Sequence, residues 1–418
     1  MKTITEPQRE IPVVREIDVV VAGGGPAGIV AAIAAARAGA DTLLVERYGY
    51  LGGMITGSWV TAIYGFGSRQ RQLILGIPQD MVDRLSECGA WEVLEDYKPA
   101  GDGCTDAEMF KWVSLEMLQE AGAEVLLHSW VVDAITEDDE VKGIIVENKS
   151  GRQALLAQVT VDATADGDIA KFAGAAYQTR DDYVSVSERD GLFGRDKLPH
   201  TLGVRIDGVD RDAVERFREQ KPEQYAQLMA QLEQQGGGLD LHACGTADGD
   251  ALDAWDLTRM EIEGRTKIMT SLLFLRENLP GYESAHVADT TPQFGVREGR
   301  RIVGEYTLSI EDMAQAKKFD DGICRCGSSA EGEEYDIPYR CLVTEKVDNL
   351  LAAGRCISIG PEAHLSLRGI APCMGTGHAA GAAAALAARA KVKPRNLDIG
   401  QLRELLIEQG AYLGQPGG

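Results

Sequence analysis

The stretch VVVAGGGPAGIVAAIAAARAGADTLLVE, from Val19 to Glu46, decides the fold of this chain. An apolar segment, Val19–Ala22, leads into a glycine-rich turn, and an alanine-rich helical segment follows. Gly23, Gly25 and Gly28 have the GxGxxG spacing, in the strand-turn-helix context of a dinucleotide-binding motif. In that motif the first glycine permits the tight turn, the second lets the backbone approach a pyrophosphate, and the third lets the helix pack on the strand. The sequence therefore predicts a phosphate-binding turn at a helix N-terminus.

The acidic residue Glu46 ends a second apolar segment, TLLV, and follows Gly28 by 18 residues. An acid at this position accepts hydrogen bonds from the ribose hydroxyls of a dinucleotide and disfavours a 2′-phosphate. NAD or FAD therefore fits better than NADP, and the function narrows to redox chemistry. The first nucleotide unit is expected from about Ile17 to Gly53. No second GxGxxG follows a later strand, so a separate NAD(P)H domain is not expected.

The composition predicts an acidic, soluble enzyme with more than one lobe. Its 418 residues, 44% of them hydrophobic, exceed the usual size of a single core. The net charge of -23 argues against nucleic acid and anionic membranes as partners, and a local basic patch is still compatible with an anionic substrate. The polar N-terminus has no hydrophobic leader, and no apolar run reaches the length of a membrane-spanning helix. The cytoplasm is the expected location.

Hydrophobic periodicity divides the remaining chain into segments of different character. Residues 106–121 predict a helix that ends at Gly122, and the runs EVLLHSWVVDAITE, VKGIIVEN and ALLAQVTVDAT predict an antiparallel meander. The last run leads into DATADGD, where we expect a strand that returns to the nucleotide sheet. Residues 180–290 are more polar, contain Gly236–Gly238 and are expected in a substrate or cap domain. The strand NLLAAG and the helix MGTGHAAGAAAALAAR then resume the opening pattern, so the nucleotide domain is expected to be discontinuous.

Four regions of the chain resemble one known family. They are the opening glycine-rich stretch, DATADGDIAKFAGA, REGRRIVGEYTL, and IPYRCLVTEKVDNLLAAGRCIS through RGIAPCMGTGHAAGAAAALA. Their order resembles the FAD-dependent oxidoreductases related to fumarate reductase and succinate dehydrogenase flavoproteins, within the glutathione-reductase-like FAD superfamily. The resemblance implies an α/β fold with a discontinuous Rossmann-like FAD-binding domain of that type, an antiparallel β-meander and an inserted α+β substrate or cap domain. The FAD domain is expected at 15–60, 105–180 and 290–395, the cap at 61–104 and 181–289, and a C-terminal helix and tail at 396–418.

The same resemblance implies FAD and assigns residues to it, and non-covalent binding is expected because no motif requires covalent attachment. Pyrophosphate contacts are expected from Gly23, Gly25, Pro26, Ala27 and Gly28, ribose contacts from Glu46 and Arg47, and pyrophosphate or ribityl contacts from Gly52, Gly53, Met54, Gly354 and Arg355. The backbone of Val132 is expected to meet the adenine. The middle motif contains Ala163, Thr164 and Ala165, and the family usually has glycine where Ala165 stands. A helix opening at Gly375, Thr376 and Gly377 is expected to direct its amides at the flavin pyrimidine edge.

Hydride transfer also needs a group that moves a proton and cations that hold an anionic substrate. His364 and Arg368 in EAHLSLRG are the strongest candidates, since the fumarate reductase relatives use histidine and arginine in these roles. The alternative for His364 is a hydrogen-bonded core histidine. Further candidates for substrate contact are Arg297, Arg301, Tyr339 and Arg340. Arg297, Arg300 and Arg301 are expected on one helix, where a solvated face is the alternative for at least one of them.

The eight cysteines are dispersed, and the CxC pair Cys324 and Cys326 lacks further ligands at metal-site spacing. We interpret them, with Cys356 and Cys373, as small buried residues or free thiols, and we predict no metal. No GxSxG, P-loop or HExxH motif occurs, which removes the commonest hydrolase and NTPase functions.

The leading hypothesis is an FAD-dependent dehydrogenase or reductase that moves a hydride between a small polar or anionic substrate and flavin N5. One alternative is an oxidase or monooxygenase in which the flavin meets oxygen. The other is a non-redox protein, either a regulatory flavoprotein or a synthase similar to thiazole-forming relatives that use a bound dinucleotide. The sequence leaves open the substrate, the electron acceptor, covalent flavin attachment and the oligomeric state, including a homo-oligomer.

Overall fold

The computed structural model describes residues 2–179, 200–234, 247–327 and 334–414, which form two compact units. The first contains the described residues of Met1–Gly53, Thr61–Tyr183 and Arg300–Gly418, and the second contains those of Met54–Val60 and Val184–Gly299. The stretch Gly236–Gly238 of the expected cap lies outside the described residues, as does Cys244.

The strands are numbered in chain order: β1 (Val13–Ala22), β2 (Thr42–Val45), β3 (Ala62–Ile63), β4 (Trp91–Val93), β5 (Gly103–Thr105), β6 (Glu124–Leu126), β7 (Trp130–Glu137), β8 (Glu140–Asn148), β9 (Gly151–Asp162), β10 (Tyr177–Gln178), β11 (Val204–Asp207), β12 (His286–Thr290), β13 (Arg301–Ile302), β14 (Gly322–Gly327), β15 (Glu334–Pro338) and β16 (Leu350–Ala352).

The helices follow the same convention: α1 (Pro26–Arg37), α2 (Met54–Gly57), α3 (Ile77–Glu87), α4 (Ala107–Ala121), α5 (Asp168–Phe172), α6 (Arg211–Gln220), α7 (Pro222–Gln234), α8 (Ala254–Asn278), α9 (Ile310–Ala314), α10 (Pro361–Leu367), α11 (Ile370–Ala390) and α12 (Ile399–Glu408). Short 3₁₀ turns occur at Glu95–Ala100, Tyr339–Cys341, Gly354–Cys356 and Pro394–Asn396.

A seven-stranded mixed sheet organises the first unit, in the order β6-β2-β1-β9-β8-β7 with β16 also paired to β9. Strand β9 joins its two parts. Near its start it pairs antiparallel with β8, and at its end Thr160–Asp162 pairs in parallel with both β1 and β16. The meander thus returns the chain to the parallel strands, and the predicted α/β class is confirmed.

Helices α1 and α11 pack against each other, and α11 also contacts β1 and β9. α1 begins at Pro26, whose fixed φ suits the first helical position. Gly377 and Gly381 lie one turn apart on α11, and a Cβ on either would overlap a backbone carbonyl oxygen of α1, that of Ala27 or of Ala31. The alanine- and glycine-rich composition of both helices therefore lets two backbones approach closely.

The predicted meander differs from the structure at its first run. The run EVLLHSWVVDAITE forms two strands, because the backbone turns at His128 with a φ of +53°. The first of them, β6, pairs in parallel with β2, and only β7 belongs to the antiparallel part.

The helix expected over Arg297, Arg300 and Arg301 is absent. Arg297 and Arg300 lie in irregular chain, and Arg301 starts β13, which pairs antiparallel with β10. Val303 and Glu305 donate backbone hydrogen bonds to Ala176 and Val343. Long-range pairing therefore satisfies the backbone that a helix would satisfy locally, and the β-branched pair after Arg301 favours it.

Residues 61–104, expected in the cap, lie in the first unit. Strands β3, β5 and β4 form a small antiparallel sheet there, and α3 packs on α1, α4 and α11. The amphipathic helix α3 buries Ile77, Met81 and Leu85. Burial of this apolar face against α1, α4 and α11 explains why residues 61–104 belong to the first unit and not to the cap.

The second unit is built around α8 and the antiparallel pair β11 and β12. One side of α8 packs near Leu202, Val204 and Phe294. Its C-terminal half joins a second cluster with Leu232 and Tyr282. This unit has its own apolar core.

His378, in the middle of α11, is buried beside the chain that follows α12. One ring nitrogen, Nε2, lies 2.8 Å from Oε1 of Gln409. Burial lowers the pKa of His378 from its ordinary 6.5 to about 4, and the Gln409 hydrogen bond acts in the opposite direction. The folded protein therefore holds this imidazole neutral.

We expect His378 to make the fold acid-sensitive. As the pH falls from 6.5 towards about 4, the unfolded chain takes up a proton that the folded chain does not, which costs up to about 3 kcal/mol of unfolding free energy. Urea unfolding at about pH 7 and about pH 4.5 should show a smaller loss for His378→Gln than for the wild type. The exposed His286→Gln is the matched control and should keep the wild-type loss. Equal losses in the His378 variant and the wild type would refute the assignment.

Candidate functional site

Two glycines of the turn after β1 are required by the protein's own packing. Gly23 has a φ of +106°, and a Cβ there would overlap the carbonyl of Ala163 at the end of β9. A Cβ on Gly28 would overlap the carbonyl oxygen of Gly23. These positions hold the turn close to both the helix and the neighbouring strand.

Gly25 differs, because the protein atom nearest to an added Cβ is Cα of Gly53, at 3.8 Å. Gly25 is the N-cap of α1 and provides no side-chain cap. The backbone N–H groups of Ala27 and Gly28 have no acceptor within the helix, since Ile29 makes the first intrahelical bond, to Gly25. The turn therefore presents uncapped donors and open space, which fits the pyrophosphate of a dinucleotide.

Glu46 is buried at the end of β2 and is held by two backbone amides. Its Oε2 accepts from Gly24 N at 2.6 Å, and its Oε1 accepts from Tyr48 N at 2.9 Å. Gly52 N donates to Gly24 O at 2.8 Å and closes the next loop onto the turn. The carboxylate thus lies at the glycine-rich turn, where the motif requires the ribose acceptor.

Arg47 and Val132 are the other residues expected to contact the adenosine. The Arg47 guanidinium lies over the rings of Tyr48 and Trp130, at 4.8 and 5.4 Å. Val132 sits at a bulge of β7, between the paired residues Val131 and Asp133. A bulge leaves the backbone groups of the extra residue outside the ladder.

The start of α11 is joined to the same turn through Gly354. This residue has a φ of +79°, and its backbone N–H donates to Thr376 Oγ1 at 3.0 Å. A Cβ added to Gly354 would lie 2.9 Å from Cβ of Ala27 and 3.7 Å from Cβ of Cys373. Residues of the N-terminal turns of α1 and α11 therefore meet at Gly354.

The predicted opening of this helix at Gly375 is wrong, since α11 begins at Ile370 with Gly369 as its N-cap. Gly375 and Gly377 lie beyond the first turn, where their amides donate within the helix. Gly377 meets α1, and a Cβ on Gly375 would lie 2.5 Å from Sγ of Cys324. The amides without an intrahelical acceptor belong to Ile370 and Ala371.

The end of β9 and the loop after it contain acidic residues for which the sequence predicted no role. Asp162 is buried, accepts from Thr164 N, Thr164 Oγ1 and Ala170 N, and has its pKa raised to about 6 by burial. Asp166 pairs with Arg355 at 2.6 Å, and Asp168 pairs with Arg300 at 2.8 Å. The sequence signal for these acids was their alternation in DATADGD. In the structure, two of them lie opposite buried arginines.

Ala165 in this loop has a φ of +71°, in the left-handed region that favours glycine. Its carbonyl accepts from Arg355 Nε at 3.1 Å. The usual glycine of the family at this position therefore has a backbone reason. An alanine here costs on the order of 1 kcal/mol.

His364 and Arg368 lie at α10, directly before α11. His364 is buried, and Arg368 is the half-buried C-cap whose backbone N–H donates to His364 O. Burial raises the pKa of the Cys373 thiol to about 12, and the nearby charges of Arg355 and Arg368 oppose this. Arg355 follows Gly354, which lies beside Cys373, and Arg368 ends α10 directly before α11.

Three of the other catalytic candidates, Tyr339, Arg340 and Arg301, lie in the first unit and have polar partners there. Tyr339 donates from its hydroxyl to Pro394 O at 3.0 Å, and burial raises its pKa. Arg340 forms two hydrogen bonds with the carboxylate of Asp321. Arg301 is buried and donates to Ile359 O at 2.7 Å. These three contacts are structural ones within the first unit.

Arg297 and Met54 belong to the second unit. The backbone N–H of Arg297 donates to His200 Nδ1 at 3.0 Å, and burial lowers the pKa of its guanidinium. Met54 is the first residue of α2.

Cys324 and Cys326 are free thiols on β14, with their sulfur atoms 4.0 Å apart. Hydrogen bonding to Cys324, followed by burial, raises the pKa of Cys326 well above its ordinary value. A thiol that resists ionisation is a poor nucleophile and a poor ligand. Within the described ranges, no group of three or more His, Cys, Asp or Glu side chains is arranged to hold a metal ion.

Comparison with known proteins identifies the family of this chain. The sequence profile of the family described as FAD dependent oxidoreductase matches residues 18–406. The chain belongs to this family. The FAD prediction and the family resemblance are confirmed.

Individual relatives match shorter stretches of this FAD dependent oxidoreductase. Thiamine thiazole synthase of Aeropyrum pernix is 35% identical over 144 residues, 34% of this chain and 48% of that protein. Digeranylgeranylglycerophospholipid reductase 2 of Methanopyrus kandleri is 32% identical over 153 residues, 35% of this chain and 37% of that protein. The chain thus spans less than two thirds of the length of these relatives.

Among solved structures, a geranylgeranyl bacteriochlorophyll reductase-like protein from Thermoplasma acidophilum matches with a TM-score of 0.42 and 14% identity, covering 95% of this chain and 84% of that one. Within the described residues, no helix combines the length and apolar character needed to cross a membrane.

Proposed function

We propose that this FAD-dependent oxidoreductase is a dehydrogenase or reductase acting on a small anionic organic substrate. Bound FAD supplies hydride acceptance and donation at N5 of its flavin. The observation that carries the proposal is the half-buried Arg368 at the end of α10, directly before the uncapped start of α11, which meets the FAD turn at Gly354. Arg368 and this helix N-terminus provide local positive charge, although the whole chain has a charge of -23 and Arg355 is already paired with Asp166.

Arg355 and Arg368 have different roles in this proposal. The Arg355 side chain is occupied by Asp166 and Ala165 O, which fixes its charge in place near the cofactor. Arg368 is half-buried at the C-terminus of α10. We assign Arg368 to the substrate carboxylate, since guanidinium groups hold carboxylates through two parallel hydrogen bonds.

His364 is assigned to the proton that accompanies the hydride. It lies four residues before Arg368, so both side chains share one face of α10. A histidine there takes a proton from a substrate hydroxyl during oxidation, or returns it during reduction. Tyr339, Arg340 and Arg301 are not assigned to substrate, because their polar atoms have the structural partners described above.

We assign FAD binding to the glycine-rich turn and to the residues next to it. Gly25, the first-turn amides of α1, and Glu46 would hold the pyrophosphate and the adenosine ribose. Gly53 and Gly354 would border the pyrophosphate and ribityl chain. The uncapped amides of Ile370 and Ala371, rather than those of Gly375 and Gly377, would face the flavin pyrimidine edge.

The test is anaerobic reduction of the purified holoenzyme, read from its visible flavin absorbance. We expect bleaching by a small 2-hydroxycarboxylate or saturated dicarboxylate, and none by the matching neutral amide or diol. If every carboxylate fails and a neutral donor bleaches the flavin, the anionic substrate class is wrong.

Two alternative functions are distinguished by the same preparation. Rapid oxygen consumption with the reducing substrate, followed in an oxygen electrode, would identify an oxidase or monooxygenase. A synthase that uses a bound dinucleotide without redox turnover is favoured by the 35% identity to the Aeropyrum pernix thiamine thiazole synthase. Bleaching by any metabolite that is also turned over would exclude that synthase.

A further inference from the structure

Helix α8 in the second unit has apolar side chains on two opposite faces. One face is buried and contains Met260, Gly264, Ile268, Ser271, Leu272 and Leu275. The other face exposes Trp255 (84%), Ile262 (63%), Met269 (46%) and Leu273 (52%). A helix with apolar side chains on two opposite faces normally has both of these faces covered.

The exposed residues form one continuous stripe, which we call the α8 stripe (Trp255, Ile262, Met269 and Leu273). The first three follow one another at intervals of seven residues, and Leu273 follows Met269 by four. A seven-residue repeat is that of one row of a seam between two helices, and the positions between the repeats, such as Thr258 and Thr266, are polar. The stripe spans about 27 Å along the helix axis. A second helix of similar length would cover it.

The charges along α8 are unequally distributed. Residues 253–263 contain four acidic residues and one basic residue, whereas residues 264–278 contain three basic residues and one acidic residue. Most of these charges are paired within the helix, Arg259 with Asp256 and Glu263, Arg265 with Glu261, and Lys267 with Glu263. Two copies of α8 in antiparallel orientation bring the exposed Arg276 of one against the acidic N-terminal end of the other, whereas a parallel pair would place the two Arg276 side chains together.

We propose that the α8 stripe is a homodimer interface, in which α8 of two copies of this chain pairs antiparallel about a two-fold axis near Thr266. Such an interface is isologous, so one self-complementary surface is sufficient. One register satisfies two contacts at once. It places Ile262 opposite Met269 of the second copy, and Trp255 opposite the exposed Arg276, a favourable cation–aromatic pair.

The pairing is also consistent with the composition of the stripe. Its apolar residues nearest the axis are Ile262 and Met269, the aromatic Trp255 lies at one end, and charged residues lie at its margins. An anionic membrane is a poorer occupant, because the chain carries a net charge of -23.

The first test is the mass of the full-length holoenzyme by sedimentation equilibrium at tens of micromolar. We expect twice the mass of one chain for the wild type, and the mass of a single chain for Ile262→Glu/Met269→Glu with its flavin content unchanged. The matched control is Ile407→Glu on α12, which is 56% exposed in the first unit and should remain dimeric. A monomeric wild type, or a dimer that survives the double substitution, overturns the proposal.

The second test reports the orientation through single cysteines. Thr266→Cys should form a disulfide between chains under mild oxidation and appear at double mass without reductant, because the axis brings its two copies together. Trp255→Cys lies about 16 Å along the helix from Thr266, so its two copies would be about 33 Å apart and should not cross-link. The wild type gives the background from native thiols such as the exposed Cys88. Cross-linking at Trp255→Cys without cross-linking at Thr266→Cys overturns the antiparallel arrangement.

Discussion

Replacing His364 by glutamine is expected to lower kcat/KM about 10²- to 10⁴-fold, the usual contribution of a positioned general acid or base. The reason is that glutamine keeps a polar side chain at this buried position of α10 but cannot carry the proton. Stopped-flow flavin reduction across a pH series measures the effect directly. The pH profile of the wild-type reduction rate should contain a limb set by one ionisable group. His364→Gln should lose that limb while its FAD content stays the same.

A parallel substitution separates proton movement from substrate binding. Arg368→Met removes the guanidinium that we assign to the substrate carboxylate, so it should raise KM more than it lowers kcat. Ser366→Ala, at an exposed position on the same short helix, is the matched control and should reduce the flavin at the wild-type rate. A His364→Gln enzyme with the wild-type rate and pH profile would show that this histidine is a core residue.

The second large effect is expected at the glycine-rich turn, where two glycines should behave in opposite ways. Gly25→Ala adds a Cβ whose nearest protein atom is 3.8 Å away, at a φ of -78° that alanine accepts. The stability of the apoprotein should therefore change little, because the less flexible unfolded chain is offset by the poorer N-cap that alanine makes at the start of α1. Its affinity for FAD should fall, since the new methyl group occupies space at the pyrophosphate. A cost like that of overpacking, about 1–3 kcal/mol, corresponds to about 5- to 150-fold in Kd.

Gly28→Ala is the matched comparison, because its Cβ overlaps the carbonyl oxygen of Gly23 with or without cofactor. It should lower the unfolding free energy of the apoprotein itself by several kcal/mol, or prevent folding. Urea unfolding of the apoproteins and fluorescence titration with FAD measure the two quantities separately. If Gly25→Ala binds FAD as the wild type does, the pyrophosphate does not approach this residue.

The sequence was most informative where neighbouring residues satisfy one another. The helix expected over residues 106–121 is α4, because Asp106 accepts from Met109 N at its start and Gly122 adopts the left-handed conformation at its end. These are interactions within a few residues, so residue type alone encodes them.

Prediction was poorest where the partner of a residue comes from a distant segment. Arg297, Arg300 and Arg301 have helix-compatible spacing, yet the backbone of Arg301 pairs with Gln178, more than a hundred positions earlier. Tyr339 and Arg340 looked suited to substrate, but Pro394 and Asp321 occupy their polar atoms. Gly377 looked like a cofactor residue and is explained by contact with Ala27. No local pattern records such contacts.

By itself, the sequence determined the strand, glycine-rich turn and helix at the start of the chain, the place of Glu46 after the second strand, the α/β class and the family. Glycine spacing, a strand before it and a helix after it are all local requirements of phosphate binding. Only the tertiary structure decided which glycines serve packing and which leave room for a ligand, and which arginines are already paired. Those outcomes depend on the carbonyls of Ala163 and Ala27 and on the carboxylates of Asp166 and Asp321, whose positions are set when the whole sheet and its helices assemble.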